Sequence, residues 1–103
     1  MLIYNITFQA SKANERNLLI WLQQQYIPQA MASGELSEPQ LCEVLSHHDP
    51  DSTCYALQFH VADSQVLHHW YRACGAPLHE EMINLFKEQV VAFSTLMQLI
   101  EES

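Results

Sequence analysis

A chain of 103 residues, 49% of them hydrophobic, holds enough apolar material for one domain with a real core. That excludes a disordered segment and a disulfide-dense mini-scaffold. Twelve acids against four bases give a formal charge of −8, and the bases Lys12, Arg16, Arg72 and Lys87 are scattered. Phosphate recognition needs clustered Lys and Arg, so nucleic acid and anionic membrane surfaces are not expected as partners.

The chain opens with MLIYNITFQA, in which Leu2, Tyr4, Ile6 and Phe8 alternate with Ile3, Asn5, Thr7 and Gln9. Period-two alternation predicts a strand and not a signal peptide. Ser11 is placed to cap a helix running to about Ser33, with Gly34 as its stop. Its core stripe is Leu18, Leu19, Leu22, Tyr26 and Ala30, and Pro28 predicts a kink. A second apolar set, Ile20, Ile27 and Met31 with Trp21 at its edge, lies on the other side.

Residues 40–47 and 53–61 read as two strands joined by the turn HDPDS. Asp63 or Ser64 caps a helix through about Ala73. Gly75 is expected to interrupt it, and Pro77 to start a further helix carrying Leu78, Met82, Leu85 and Phe86. Residues 90–100 predict a final strand. Cys42 and Cys54, on the two hairpin strands, come out three or four residues out of alignment, about 10–13 Å at strand spacing. That exceeds disulfide reach, so Cys42, Cys54 and Cys74 are expected as free thiols of a cytoplasmic protein.

The resulting order, β-α-β-β-α-β, predicts an α+β, ferredoxin-like domain over residues 1–103. Its four-stranded antiparallel sheet would carry the helices on one face. Both faces of the first and last strands read as apolar, and a sheet apolar on both faces is usually covered on both. Sheet-to-sheet packing of two copies is the simplest cover, predicting a homodimer through the open sheet face, as in a dimeric α/β barrel.

The segments MLIYNITF, WLQQQYIPQAMASG, STCYALQFHV and APLHEEMINLFKEQVVAFSTLMQLI resemble the bacterial domain-of-unknown-function family 4286, in order and over nearly the whole chain. That resemblance implies a small ferredoxin-like protein and no particular reaction. The chain departs from the family pattern at Ser94, where a basic residue is usual, and at Gly75, where a histidine is usual. More distantly the architecture is similar to dimeric α/β barrels, which include antibiotic-biosynthesis-type monooxygenases and haem-degrading enzymes. The haem-degrading members use an asparagine on the first strand with a tryptophan and a histidine on the second helical region. Asn5, Trp70 and His79 stand at comparable places here.

The segment HHWYRACGAPLH, residues 68–79, is rich in chemistry-bearing side chains. On a helix, Val66, Leu67, Trp70, Tyr71 and Cys74 form one apolar side. His68 and His69 fall on the other side about 100° apart, whereas helical metal ligands sit three or four positions apart. Those two histidines therefore read as a solvated face. His79 is different: in the first turn of its own helix it would be held neutral by the helix N-terminus. His47, His48, Asp49 and Asp51 are metal-ligand types, but with Pro50 they build an ordinary turn.

No nucleotide, hydrolase or metalloprotease motif is present, and no arrangement singles out a catalytic nucleophile, a metal site or a cofactor. The leading expectation is a homodimeric module that associates with protein or binds a small apolar ligand, with Asn5, Trp21, Trp70 and His79 as candidate ligand-binding residues. The alternative is a dimeric barrel enzyme of monooxygenase or haem-degrading type, its pocket between sheet and helices.

Overall fold

The computed structural model describes residues 1–101, and the alternation of the first segment sets its layout. β1 (Leu2–Ser11) runs through the middle of the sheet with Tyr4, Ile6, Phe8 and Ala10 buried under helices. β2 (Leu36–Glu43), β3 (Ser52–Val61) and β4 (Val90–Gln98) complete an antiparallel sheet of order β2-β3-β1-β4. Both helical layers lie against one face, as a β-α-β-β-α-β chain requires. The fold is the expected ferredoxin-like α+β arrangement.

Two helical rods cover that face. The first joins α1 (Glu15–Trp21), a π-helical turn (Leu22–Tyr26) and α2 (Ile27–Met31). The second joins α3 (Ser64–Trp70), a π-helical turn (Tyr71–Gly75) and α4 (Ala76–Phe86). The rods carry the same spacing: WLQQQYIP at 21–28 and WYRACGAP at 70–77, a tryptophan followed seven residues later by a proline. The proline explains the π turn. It has no N–H, and in a regular helix its ring would strike the carbonyl four residues back. In each rod the residue just before the proline bonds five residues back, Ile27 N–H to Leu22 O and Ala76 N–H to Tyr71 O. That widens the helix where the ring must fit.

This corrects several expectations. Gly75 does not interrupt the helix; it is buried inside a continuous rod, at φ −64° and ψ −45°. A Cβ there would lie 2.6 Å from Trp70 Cζ3 and 2.7 Å from Tyr71 Cδ1, so the glycine is required by packing. Leu85 is exposed, while Leu78, Met82 and Phe86 form the stripe; Tyr71 is 42% exposed and not part of the buried face. Ser11 makes no cap to the backbone and instead accepts from Asn14 Nδ2. Asp63 caps α3 as expected, its carboxylate accepting from Val66 N–H at 2.9 Å. Gly34, at φ 78°, follows the first rod in the left-handed region that glycine enters freely.

The second strand lies earlier than expected, at residues 36–43 instead of 40–47. Pro39 does not end it, because β2 is an edge strand and takes up Glu38 (φ 51°) and Pro39 as a register shift between Ser37 and Gln40. Cys42 consequently faces Ala56, two residues from Cys54, and all three cysteines are free. β4 ends at Gln98. The open face is also less apolar than expected. β1 and β3 present Asn5, Thr7, Gln9, Gln58 and His60 there, and the large apolar side chains are Ile3 with Val91, Phe93 and Met97 of β4.

Candidate functional site

A cleft of about 170 Å3 opens between the β4 side of the sheet and the second rod. Its floor is the helix-facing row of β1, Tyr4, Ile6 and Phe8, continued by Ala92 and Ser94 of β4. The second rod supplies Tyr71, Gly75, His79 and Met82, whose spacing of four, four and three residues puts them on one helical face. Tyr26 reaches in from the first rod. Gly75 borders the cleft with backbone alone, because the Trp70 and Tyr71 rings occupy the place a side chain there would take.

Aromatic edges build the walls. Tyr4 meets Trp70 edge-on at 5.7 Å between ring centroids, and Tyr26 meets Phe8 at 5.7 Å and Trp21 at 5.5 Å. Among the described residues, no carboxylate, lysine or arginine lines the cleft. Burial pushes the Tyr4 hydroxyl above its ordinary pKa, with Ser94 beside it pulling the other way. Burial, reinforced by the neighbouring Tyr4, pushes Tyr26 far higher. Both phenols therefore stay neutral near pH 7 and serve as hydrogen-bonding groups. Aromatic walls with neutral hydroxyls and one imidazole suit an uncharged ring carrying a single polar substituent.

The four residues singled out in the sequence fall in three places. His79 is exposed and lines the cleft. Its helix start is not free, because the preceding π turn continues into α4, so the expected N-terminal dipole does not act on it. Trp70 is fully buried behind Gly75, its indole N–H donating to Ala30 O at 2.9 Å, so it backs the cleft without lining it. Trp21 is buried one layer further on, against Tyr26 and Phe86, and its Nε1 has no partner. Asn5 lies on the open sheet face, away from the other three; its Nδ2 donates to Thr7 Oγ1 and its buried Oδ1 has no partner.

Tyr4, Tyr26, Tyr71, Gly75, Met82 and Ser94 were not singled out for the cleft. The signal was present in the 71-75-79-82 spacing, but it is legible only once the rod is known to run unbroken through Gly75. Ser94 and Gly75, the two departures from the resembled family pattern, both line the cleft. His68 and His69 are exposed as expected, and His69 Nδ1 pairs with Glu35 at 2.5 Å. Among the described residues, no three His, Cys, Asp or Glu side chains cluster to hold a metal ion, and no helix is long and apolar enough to cross a membrane.

No curated protein matches the chain. Solved structures do. A proposed antibiotic biosynthesis monooxygenase from Deinococcus radiodurans superposes with a TM-score of 0.73 at 18% identity, covering 100% of this chain and 96% of that one. A monooxygenase from the gene ActVA-Orf6 of Streptomyces coelicolor, bound to Nanaomycin D, gives 0.63 at 15% identity, with 99% and 92% covered. A variant of MhuD with two manganese protoporphyrin IX molecules per active site gives 0.61 at 11% identity, with 98% and 97% covered. At such identities the likeness speaks to fold alone, the ferredoxin-like architecture of monooxygenase-type dimeric α/β barrels. Residues 1–100 match the family model described as Domain of unknown function (DUF4286), and the chain belongs to that family.

Proposed function

We propose that this protein is a ligand-binding module that takes a small, mostly apolar ring compound with one hydrogen-bonding substituent. The observation that carries this reading is the uncharged, tyrosine-lined cleft of about 170 Å3. A cavity of roughly 150 Å3 admits benzene, whereas drug-sized ligands need about 300–1,000 Å3. The cleft therefore fits one ring and not a macrocycle. The enzyme alternative rests on His79, an imidazole on the cleft beside neutral phenols; a monooxygenase-type reaction on a single ring is compatible with it, and haem degradation is not.

We further propose that the module works as a homodimer through the β4 side of its open sheet face. The support is charge and exposure: β4 carries no charged residue in a chain of net charge −8, yet leaves Val91, Phe93 and Met97 39–59% exposed. Two copies can bring such strands together without opposing like charges. The free thiols suit a reducing compartment, and we place the protein in the cytoplasm.

Calorimetric titration with p-cresol tests the binding site, with an expected dissociation constant in the millimolar range, about −4 kcal/mol. Ala92→Phe fills the cleft from β4 and should abolish the heat, while Gln25→Ala, on the exposed side of the first rod, should leave it unchanged. Equal binding by Ala92→Phe would remove the site. Light scattering that shows a monomer at micromolar concentration would remove the dimer.

A further inference from the structure

A second group of side chains lies outside that cleft, around the β2–β3 hairpin. Cys54 Sγ is 3.5 Å from His47 Nδ1, His47 Nε2 is 2.8 Å from Ser52 Oγ, and Ser52 Oγ is 2.9 Å from Asp49 Oδ2. Gln9 Nε2 also reaches Ser52 Oγ, at 3.1 Å. An open cleft of about 390 Å3 borders this chain of contacts, lined by Cys54, His47, Asp49, Ser52 and Lys12.

Proton counting fixes the arrangement. A serine hydroxyl has one proton and two lone pairs. Asp49 is held low chiefly by the Asp51 backbone N–H and then by the Ser52 hydroxyl, so it only accepts, and the Ser52 proton must go to it. Ser52 can then only accept from His47, which places a proton on Nε2. In the neutral ring Nδ1 is left with a lone pair facing the Cys54 thiol. Nucleophile, base and orienting group thus stand in line within hydrogen-bond reach.

We propose that Cys54 is a base-assisted nucleophile, with His47 as its base and Ser52 and Asp49 as positioning residues, that adds to small α,β-unsaturated carbonyl compounds entering the hairpin cleft. Burial and the Asp49 charge keep the resting thiol protonated, so the reaction depends on His47 taking the proton as sulfur attacks. The S–C bond forms at the β-carbon and the C=C π pair moves to the carbonyl as an enolate. The proton on Nδ1 then passes to the α-carbon, leaving a saturated thioether and a neutral ring. Asp49, through Ser52, faces the imidazolium while it exists. The Lys12 ammonium borders the same cleft but donates to Thr53 Oγ1 at 3.0 Å and pairs with Glu15 Oε2 at 3.5 Å, so its charge is already matched. Glu43 and His48 are the remaining titratable side chains bordering it.

The test is the rate of N-ethylmaleimide addition to Cys54 in the Cys42→Ser/Cys74→Ser background, followed by intact mass from pH 6 to 9. With His47 present the rate should be nearly flat at the alkaline end. His47→Gln should lower it about a hundredfold at pH 7. It should also restore the tenfold rise per pH unit of an unassisted thiol. Ser52→Ala should shift the profile toward the same slope. Identical profiles with and without His47 would overturn the proposal, as would a Cys54 that reacts only after unfolding. Nitrogen chemical shifts of His47 in the unsubstituted chain give an independent reading: a proton on Nδ1 with Nε2 bare would overturn it without any variant.

Discussion

The two helical rods repeat one device and use it differently. Each has tryptophan, π turn and proline in the same register, and in each the fifth residue after the tryptophan faces the sheet. In the first rod that residue is Tyr26, 5% exposed and packed edge-on against Phe8 and Trp21. In the second it is Gly75, with no side chain at all. The first position is filled by its own ring; at the second the Trp70 and Tyr71 rings close over the glycine, which lines the cleft together with Tyr26. The same register position thus takes a large ring in one rod and backbone alone in the other, where the neighbouring rings of the rod itself take the room.

The tryptophans extend the contrast and give the largest expected effect. Trp70 is fully buried and donates to Ala30 O, whereas the buried Nε1 of Trp21 has no partner. Trp70→Phe loses both volume and a hydrogen bond, leaving a buried carbonyl short of its donor, and should cost about 2–4 kcal/mol. Trp21→Phe removes an unsatisfied N–H along with some volume and should cost about 1 kcal/mol or less. Urea denaturation of the two variants compares them directly, and equal losses would mean that the rods are not packed so differently.

Gly75→Ala comes next. Its Cβ meets the Trp70 ring at 2.6 Å, so overpacking should destabilise the fold by about 1–3 kcal/mol even though alanine is the better helix former. A stabilised variant would contradict the close approach. The third expectation concerns pH. The raised Tyr26 pKa means that the folded chain keeps its proton where the unfolded chain gives it up. Its contribution is fully present below the ordinary tyrosine pKa of about 10 and is lost above it, at about 1.4 kcal/mol per pH unit. Tyr26→Phe should flatten that alkaline loss. The smallest effect belongs to Glu35, whose carboxyl is held low chiefly by its hydrogen bond to His69. Its contribution is present above the ordinary carboxylate range and fades as pH falls through the lowered value. His69→Ala should bring the Glu35 titration, followed by NMR, back up toward the ordinary range.

Much of the fold was legible because its signals are local. The 2-4-6-8 alternation of β1, the Asp63 cap and the 78-82-86 stripe of α4 can each be read within a few residues. Gly75 misled because glycine breaks helices on propensity, while here the need for space against Trp70, a tertiary demand, decides the matter. β2 was displaced because Pro39 and Glu38 are tolerated only on an edge strand, and edge position depends on the whole sheet order. The site was only partly legible. His79 was found from its own surroundings, but Asn5 was grouped with it although alternation alone sends Asn5 to the face opposite Tyr4. The His47–Cys54 contact crosses a hairpin whose register had to be known first.

The central claim is that the tyrosine-lined cleft beside Gly75 receives a ring, and the methyl group of Met82 reports on it most directly. Of the four methionines only Met82 lines the cleft. Methyl NMR during a p-cresol titration should show a saturable shift at Met82, with Met1, Met31 and Met97 unmoved. A silent Met82, or shifts confined to the other methionines, would contradict the account.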